Sequence, residues 1–174
     1  MEQGKKTGLH IANQKTKTGS GYFLMNVFLM FILPLFSILW EHVKEGTPYD
    51  WALIGKWVIF WSIGIRLFTA GVRQASNPEF TATHIFHFRS KESLVVIREL
   101  GFANISIGVM GILSVINPNW RPIAAIAGGF FFGMAGIQHL FKKPDSRNEI
   151  VALIYDLFVF AVVILYLSFT FFFQ

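Results

Sequence analysis

The side chains able to do chemistry in this sequence are ionisable or amide groups set within, or at the ends of, long apolar stretches. Arg66, Asn104, His139 and Asp156 lie inside such stretches, while Arg98, Glu99, Gln138 and Glu149 stand at their ends. A central charge in a bilayer costs about 2.5–3.5 kcal/mol on insertion scales, so each of these residues is read as a candidate functional group. Glu99, His139 and Asp156 are the candidate catalytic groups, able to exchange protons or hydrogen-bond a polar headgroup. Arg66, Arg98, Asn104, Gln138 and Glu149 are candidate ligand-binding groups. In that set Asn104 and Gln138 would orient a headgroup, and Arg66 would stabilise negative charge. Glu149 and Asp156 are spaced i, i+7, which puts both carboxylates on one helix face about 10 Å apart along the axis. A carboxylate two turns inside a membrane needs a cation or a proton, and Arg66 is its natural partner. One reading closes Arg66 and Asp156 into an ion pair between the second and fifth helices. The other opens a pocket around them.

Metal chemistry has a weaker basis. His84 and His87, spaced i, i+3, could meet His139 and Glu99 or Glu149 around a metal or a non-covalent haem. Two histidines at that spacing arise readily by chance, and the balance is against a metal or haem site. The chain has no cysteine, so disulfides, thiolate nucleophiles, iron–sulfur clusters and covalently attached haem are excluded. There is no phosphate-binding glycine loop, no serine in a glycine-rich elbow and no His-Glu-x-x-His helix.

The elements that must position these residues follow from composition. Of 174 residues, 53% are apolar and 14% charged, with a mean hydropathy of +0.52. Too little polar surface remains to coat a soluble globule. Five stretches reach the roughly 20 residues a helix needs to cross a hydrocarbon core: Tyr22–Trp40, Trp51–Ala70, Leu94–Ile116, Pro122–Phe141 and Ile150–Phe172. The fold class is therefore all-α, a polytopic membrane bundle of five helices in one domain (22–174) behind a basic polar segment (1–21).

Positive residues resist translocation, so their distribution sets orientation. One side receives Lys5, Lys6, Lys15, Lys17, Arg73, Arg89, Lys91, Arg98, Lys142, Lys143 and Arg147; the other receives only Lys44, Lys56 and Arg121. The basic side is expected to be cytoplasmic, which puts the N-terminus inside and Gln174 outside in a cytoplasmic (inner) membrane. Trp40, Trp51 and Trp120 then mark the opposite interface. The net charge of +5 is a topological and anionic-lipid signal. Membrane lipids are the expected partners, with a homo-oligomer or a larger complex beside them, and nucleic acid is not expected because no basic face is interleaved with base-stacking aromatics.

Between the second and third stretches, Asn77-Pro78-Glu79 reads as an N-cap, a proline at the first helical position and an acidic first turn. A short interfacial helix is expected to run from there through His87, forming a lid over the polar groups. Glycines at Gly101, Gly108, Gly111, Gly129, Gly133 and Gly136 suggest close packing of the third and fourth helices on each other or on a second copy. Pro34 predicts a kink in the first helix.

Several of these features together resemble DoxX-like membrane proteins and, more closely, an uncharacterised group of small prokaryotic integral-membrane proteins. The residues concerned are Arg98-Glu99-Leu100-Gly101-Phe102-Ala103-Asn104 running into Gly108 and Gly111, then Arg121-Pro122, Gly136-Ile137-Gln138-His139 and Asn148-Glu149. The match covers about Ile97–Leu167. The resemblance implies a four-helix core plus one added helix, and an association with quinone- or sulfur-linked membrane oxidoreductases or with isoprenoid-like ligands. The leading functional expectation is a protein that binds a quinone, isoprenoid or lipid-like ligand in a polar pocket in the cytoplasmic half, as a subunit of an oxidoreductase or as an acid/base enzyme. The alternatives are a structural or assembly subunit without ligand, and a small proton-coupled transporter.

Overall fold

A computed structural model describes residues 19–84, 90–142 and 147–173, and among these no strand occurs. Five helices are long and apolar enough to cross a membrane: Phe23–Glu45, Trp51–Ser76, Glu92–Leu113, Pro118–Lys142 and Glu149–Phe172, called here spans one to five. Spans one and two run five or six residues past their expected ends. Lys44, Glu45, Arg73 and Gln74 continue the helices there without being apolar, because the backbone ladder does not stop where lipid does.

Local signals set the ends. Span one stops at Gly46, whose φ of +68° and N–H bond back to the His42 carbonyl form a left-handed C-cap. A β-carbon would meet nothing within 4 Å there, so Gly46→Ala tests backbone conformation alone. A thermal melt in detergent should show a loss of about 1 kcal/mol. Asp50 caps span two, its Oδ1 accepting from the Leu53 N–H at 2.8 Å.

Span two is the centre of the bundle. It packs against all four other spans, and 44% of its apolar window is buried against 28% in spans one, three and five. Its mean hydropathy of 1.4 is also the lowest of the five, as expected of a helix whose neighbours are mostly protein rather than lipid. Spans one, two, four and five form a ring, in which one meets two, two meets four, four meets five and five meets one, while the Trp51–Val58 part of span two also touches span five across it. Phe31 of span one packs on Tyr155 and Phe158 of span five, with centroids 5.5 and 4.6 Å apart. Met30, Ile59, Ile63, Phe132, Val159 and Val163 fill the middle of this ring.

Span three lies outside the ring, against span two. Its glycines do not pack on span four, as the sequence suggested. A β-carbon on Gly108 would lie 2.5 Å from the Phe68 nitrogen, one on Gly111 2.6 Å from the Gly64 α-carbon, and one on Gly101 2.8 Å from the Gly71 carbonyl oxygen. The glycines of span four face span five instead, with Gly129 under Val163, Gly133 under the Phe160 ring and Gly136 under Leu157. Glycine spacing specifies a close helix contact; it carries no information about which helix makes it.

Pro34 falls just after a π-helical turn at Phe28–Ile32, where the Leu33 N–H bonds the Phe28 carbonyl five residues back. The wider turn absorbs the missing N–H and the bulk of the proline ring. A second π-helical stretch, Ile59–Ile65, lies in span two, and the two stretches touch. The short helix after Asn77 runs Pro78–His84, with the Asn77 side chain accepting from the Phe80 N–H at 3.1 Å. It packs on spans two and three through the buried Thr81 and Ala82, and the Arg73 guanidinium lies 4.0 Å from the Phe80 ring centroid. Its continuation to His87 lies outside the described residues.

Candidate functional site

Four spans each contribute one side chain to a buried polar centre near the basic end of the ring. Asp156 of span five, with a 7% exposed side chain, has Arg66 Nη2 of span two at 3.7 Å from its Oδ1. His139 Nε2 of span four is 4.0 Å from its Oδ2, and the His139 side chain is 32% exposed. Arg66 also donates from Nε to Asn26 Oδ1 of span one at 2.9 Å, and its guanidinium lies 4.9 Å from the Phe132 ring centroid. The two contacts to Asp156 are ionic in range and longer than hydrogen bonds. A carboxylate therefore sits between two cationic or potentially cationic groups, one locked in the interior and one open to the surface. Such a set can hold an ion pair or exchange a proton through His139.

The other residues singled out in the sequence are not gathered here. Arg98, Glu99 and Gln138 are exposed. Asn104 is buried, but it faces span two and donates to Gln74 Oε1 at 2.8 Å, its own Oδ1 lacking a partner among the described residues. Glu149 is half-buried and already engaged. His84 lies in the short helix on spans two and three, and His87 lies outside the described residues. Among the described residues no three His, Cys, Asp or Glu come together as a metal would require. Arg66 and Asp156 are brought together because each lies on the inner face of its helix. Arg98 and Glu99 point away from span two, since Gly101, Asn104 and Gly108 occupy the face of span three that meets it.

A second centre closes the opposite end of the same ring. Glu41 of span one, only 7% exposed, accepts from Lys56 Nζ at 2.6 Å and from Trp57 Nε1 at 2.8 Å, both on span two. Arg121 of span four stands at the same end, and the Tyr166 ring of span five lies where a β-carbon on Gly55, next to Lys56, would be. The Arg121 Nε is buried without a hydrogen-bond partner among the described residues. In the sequence Lys56 counts only towards orientation, and Glu41 is not singled out. Their i, i+15 separation across a helix turn contains no signal that they would pair, although the neighbouring Trp57 and Asp50 cap mark where span two begins. Glu41→Gln keeps an acceptor for Trp57 but removes the charge facing Lys56, and a thermal melt should show a loss of about 1 kcal/mol, the margin between charged and neutral hydrogen bonds.

A small depression of about 150 Å³, lined by Phe36, Ser37, Trp40 and Trp57, lies beside the second centre. The larger depression, of about 320 Å³, is an apolar groove between spans four and five, floored by Gly129 and Gly133 and lined by groups such as Phe130, Met134 and Phe160.

These features define a multi-pass helical membrane protein with buried ion-paired centres at both ends of a four-span ring. The chain belongs to DUF6790, a family of unknown function, whose model matches residues 20–173 and so takes in all five spans. Neither curated proteins nor solved structures give a match to the chain.

Proposed function

We infer that the protein is a structural membrane subunit whose polar groups lock its own helices together and that assembles with itself or within a larger complex. The supporting observation is that Asp156, Arg66, His139 and Asn26 answer one another across four spans. Replacing water as the partner of a buried charge is what such a set does best. The basic end faces the cytoplasm in this reading, in keeping with the distribution of Lys and Arg.

The test is size-exclusion chromatography with light scattering on protein purified in mild detergent, together with mass spectrometry and ultraviolet–visible absorbance. The expected result is a defined oligomer or complex without a stoichiometric chromophore or lipid. A quinone or isoprenoid at one per chain, lost in His139→Ala, overturns it.

A second reading, the binding of a quinone, isoprenoid or other lipid-like ligand, has one observation in its favour. The groove between spans four and five reaches Ile137, and Gly136, one turn beyond Gly133, has Asp156 Cβ 3.5 Å from where its own β-carbon would be. A hydrocarbon tail in that groove would carry its head towards His139 and Asp156. This is also the reading to which the DoxX-like resemblance leads.

A further inference from the structure

The two centres share spans one and two, with Asn26 and Glu41 on span one and Arg66 and Lys56 on span two; His139 and Asp156 complete the first from spans four and five, while the Tyr166 ring of span five packs against Gly55 beside the second. Ten residues separate Arg66 from Lys56, and ten separate Asp156 from Tyr166, so the centres lie about 15 Å apart along the ring axis. Each reaches the surface through one partly exposed ionisable side chain, His139 at 32% and Lys56 at 22%.

Between them the buried side chains of the ring are apolar except for Ser37, whose hydroxyl accepts from Trp61, and Ser62. Ser62 is fully buried, and its hydroxyl has no hydrogen-bond partner among the described residues. A serine in a helix ordinarily bonds a carbonyl of the preceding turn, as Thr69 and Ser114 do here. Its direction follows from its neighbours: Trp61 bonds Ser37 of span one, Ile63 packs under Gly128 of span four, and Gly64 meets span three. Ser62, between Trp61 and Ile63, faces the inside of the ring. It also sits within the π-helical stretch Ile59–Ile65, which touches the π-helical turn of span one at the same depth. π-Helical turns inside α-helices occur frequently at functional sites.

We propose that the ring conducts protons between the two centres, with Ser62 as the intermediate station and the surrounding Ile59, Ile63, Val159 and Val163 as a hydrophobic gate that passes protons when water enters. The steps balance without a redox partner. His139, protonated from the basic side, gives its Nε2 proton to Asp156 Oδ2. The carboxylic acid passes it to a water at Ser62, whose Oγ accepts one proton and releases its own to the next water. Glu41 receives the proton on Oε1, its Oε2 already accepting from Lys56 and Trp57, and releases it on the opposite side, and every group returns to its starting state. Protonation of Asp156 also removes the charge that holds Arg66, which couples arrival of the proton to loosening of the gate. Dewetting of apolar constrictions is a known way of gating such paths. Arg66, Lys56 and Arg121 disfavour passage of Na⁺ and K⁺. The activity goes beyond the structural role proposed above and does not depend on it.

The experiment is a proton-flux assay in sealed vesicles holding the full chain, driven by a valinomycin-clamped K⁺ gradient and read by a pH-sensitive dye. Wild-type vesicles should acidify or alkalinise faster than empty ones. His139→Gln and Ser62→Ala, both changes without a tight contact to lose, should slow the flux at least about tenfold. Ser114→Ala, whose hydroxyl bonds the Gly111 carbonyl in span three outside the ring, should leave it unchanged. Asp156→Asn should abolish it; if that variant does not fold, the first two carry the test. Flux no faster than in empty vesicles overturns the proposal, as does flux indifferent to His139→Gln and Ser62→Ala. A signal that disappears when chloride is replaced by gluconate identifies anion movement and overturns it equally.

Discussion

Arg66→Met should lower the stability of the folded bundle by about 3–5 kcal/mol, and combining it with Asp156→Leu should restore most of that loss. Breaking a buried ion pair from one side leaves the other charge without compensation, whereas replacing both charges with apolar groups of similar volume is often neutral or stabilising. Arg66 and Asp156 have side chains 13% and 7% exposed, so solvent does little to screen the charge left behind. Arg66→Met also removes the hydrogen bond to Asn26 Oδ1 and the cation over Phe132. The double variant therefore falls short of wild type by about the value of one hydrogen bond, roughly 1 kcal/mol. Unfolding midpoints in a mild detergent, for the two single variants and the double, make the measurement. A double variant as unstable as the sum of the singles would show that the two side chains act independently and that the centre is not a lock.

The part of this centre that could be read from the sequence was the part fixed by energy alone. An arginine and an aspartate each deep in an apolar stretch cannot be left unpaired, so their meeting follows without knowing the helix arrangement. Asn26 as the second partner of Arg66 does not follow in that way, because an amide tolerates several environments and its partner depends on which faces meet. Glu41 was missed for a related reason. It stands at the end of an apolar run next to His42 and Lys44, where a glutamate is ordinarily solvated, and only the approach of span two brings Lys56 and Trp57 onto it. Arg98, Glu99 and Gln138 stand apart from this centre. Their proximity to a membrane end in the sequence made them candidates, but the side of the helix on which they stand is set by the glycines nearby, and that side faces outward.

The span boundaries were legible to within about six residues, since length and hydropathy place each apolar run but not the last polar turn of its helix. What pairs with what was not. Two glycine-rich helices adjacent in the chain invited the inference that they pack on each other; they do touch, but not through their glycines. Instead span two receives the glycines of span three, because it carries complementary small residues at Gly64 and Gly71. Span five receives those of span four with large side chains, Val163, Phe160 and Leu157, lying over each gap. The first is a backbone-on-backbone contact, the second a knob over a hole, and the two should respond differently to the same mutation.

Gly108→Leu should be among the most disruptive single changes outside the polar centres, at about 3 kcal/mol or more, the upper end of the range for overpacking. Its β-carbon would lie 2.5 Å from the Phe68 nitrogen and 2.8 Å from the Phe68 α-carbon, so relief requires one whole helix to shift. Even Gly108→Ala pits two effects against each other: alanine improves helix propensity by about 1 kcal/mol, but its methyl group cannot be accommodated while spans two and three keep their distance. The clash wins, because backbone cannot rotate out of the way, and the variant should melt lower than wild type. At Gly133 the obstacle is the Phe160 ring, a side chain at the surface of a groove open to lipid, and Gly133→Ala should cost less than Gly108→Ala. Gly21, near the start of the first helix, has nothing within 4 Å and supplies the control: Gly21→Ala should leave the melt unchanged or raise it slightly. Should Gly108→Ala prove as harmless as Gly21→Ala, span three is not held by direct backbone contact, and the glycines of that face need another explanation.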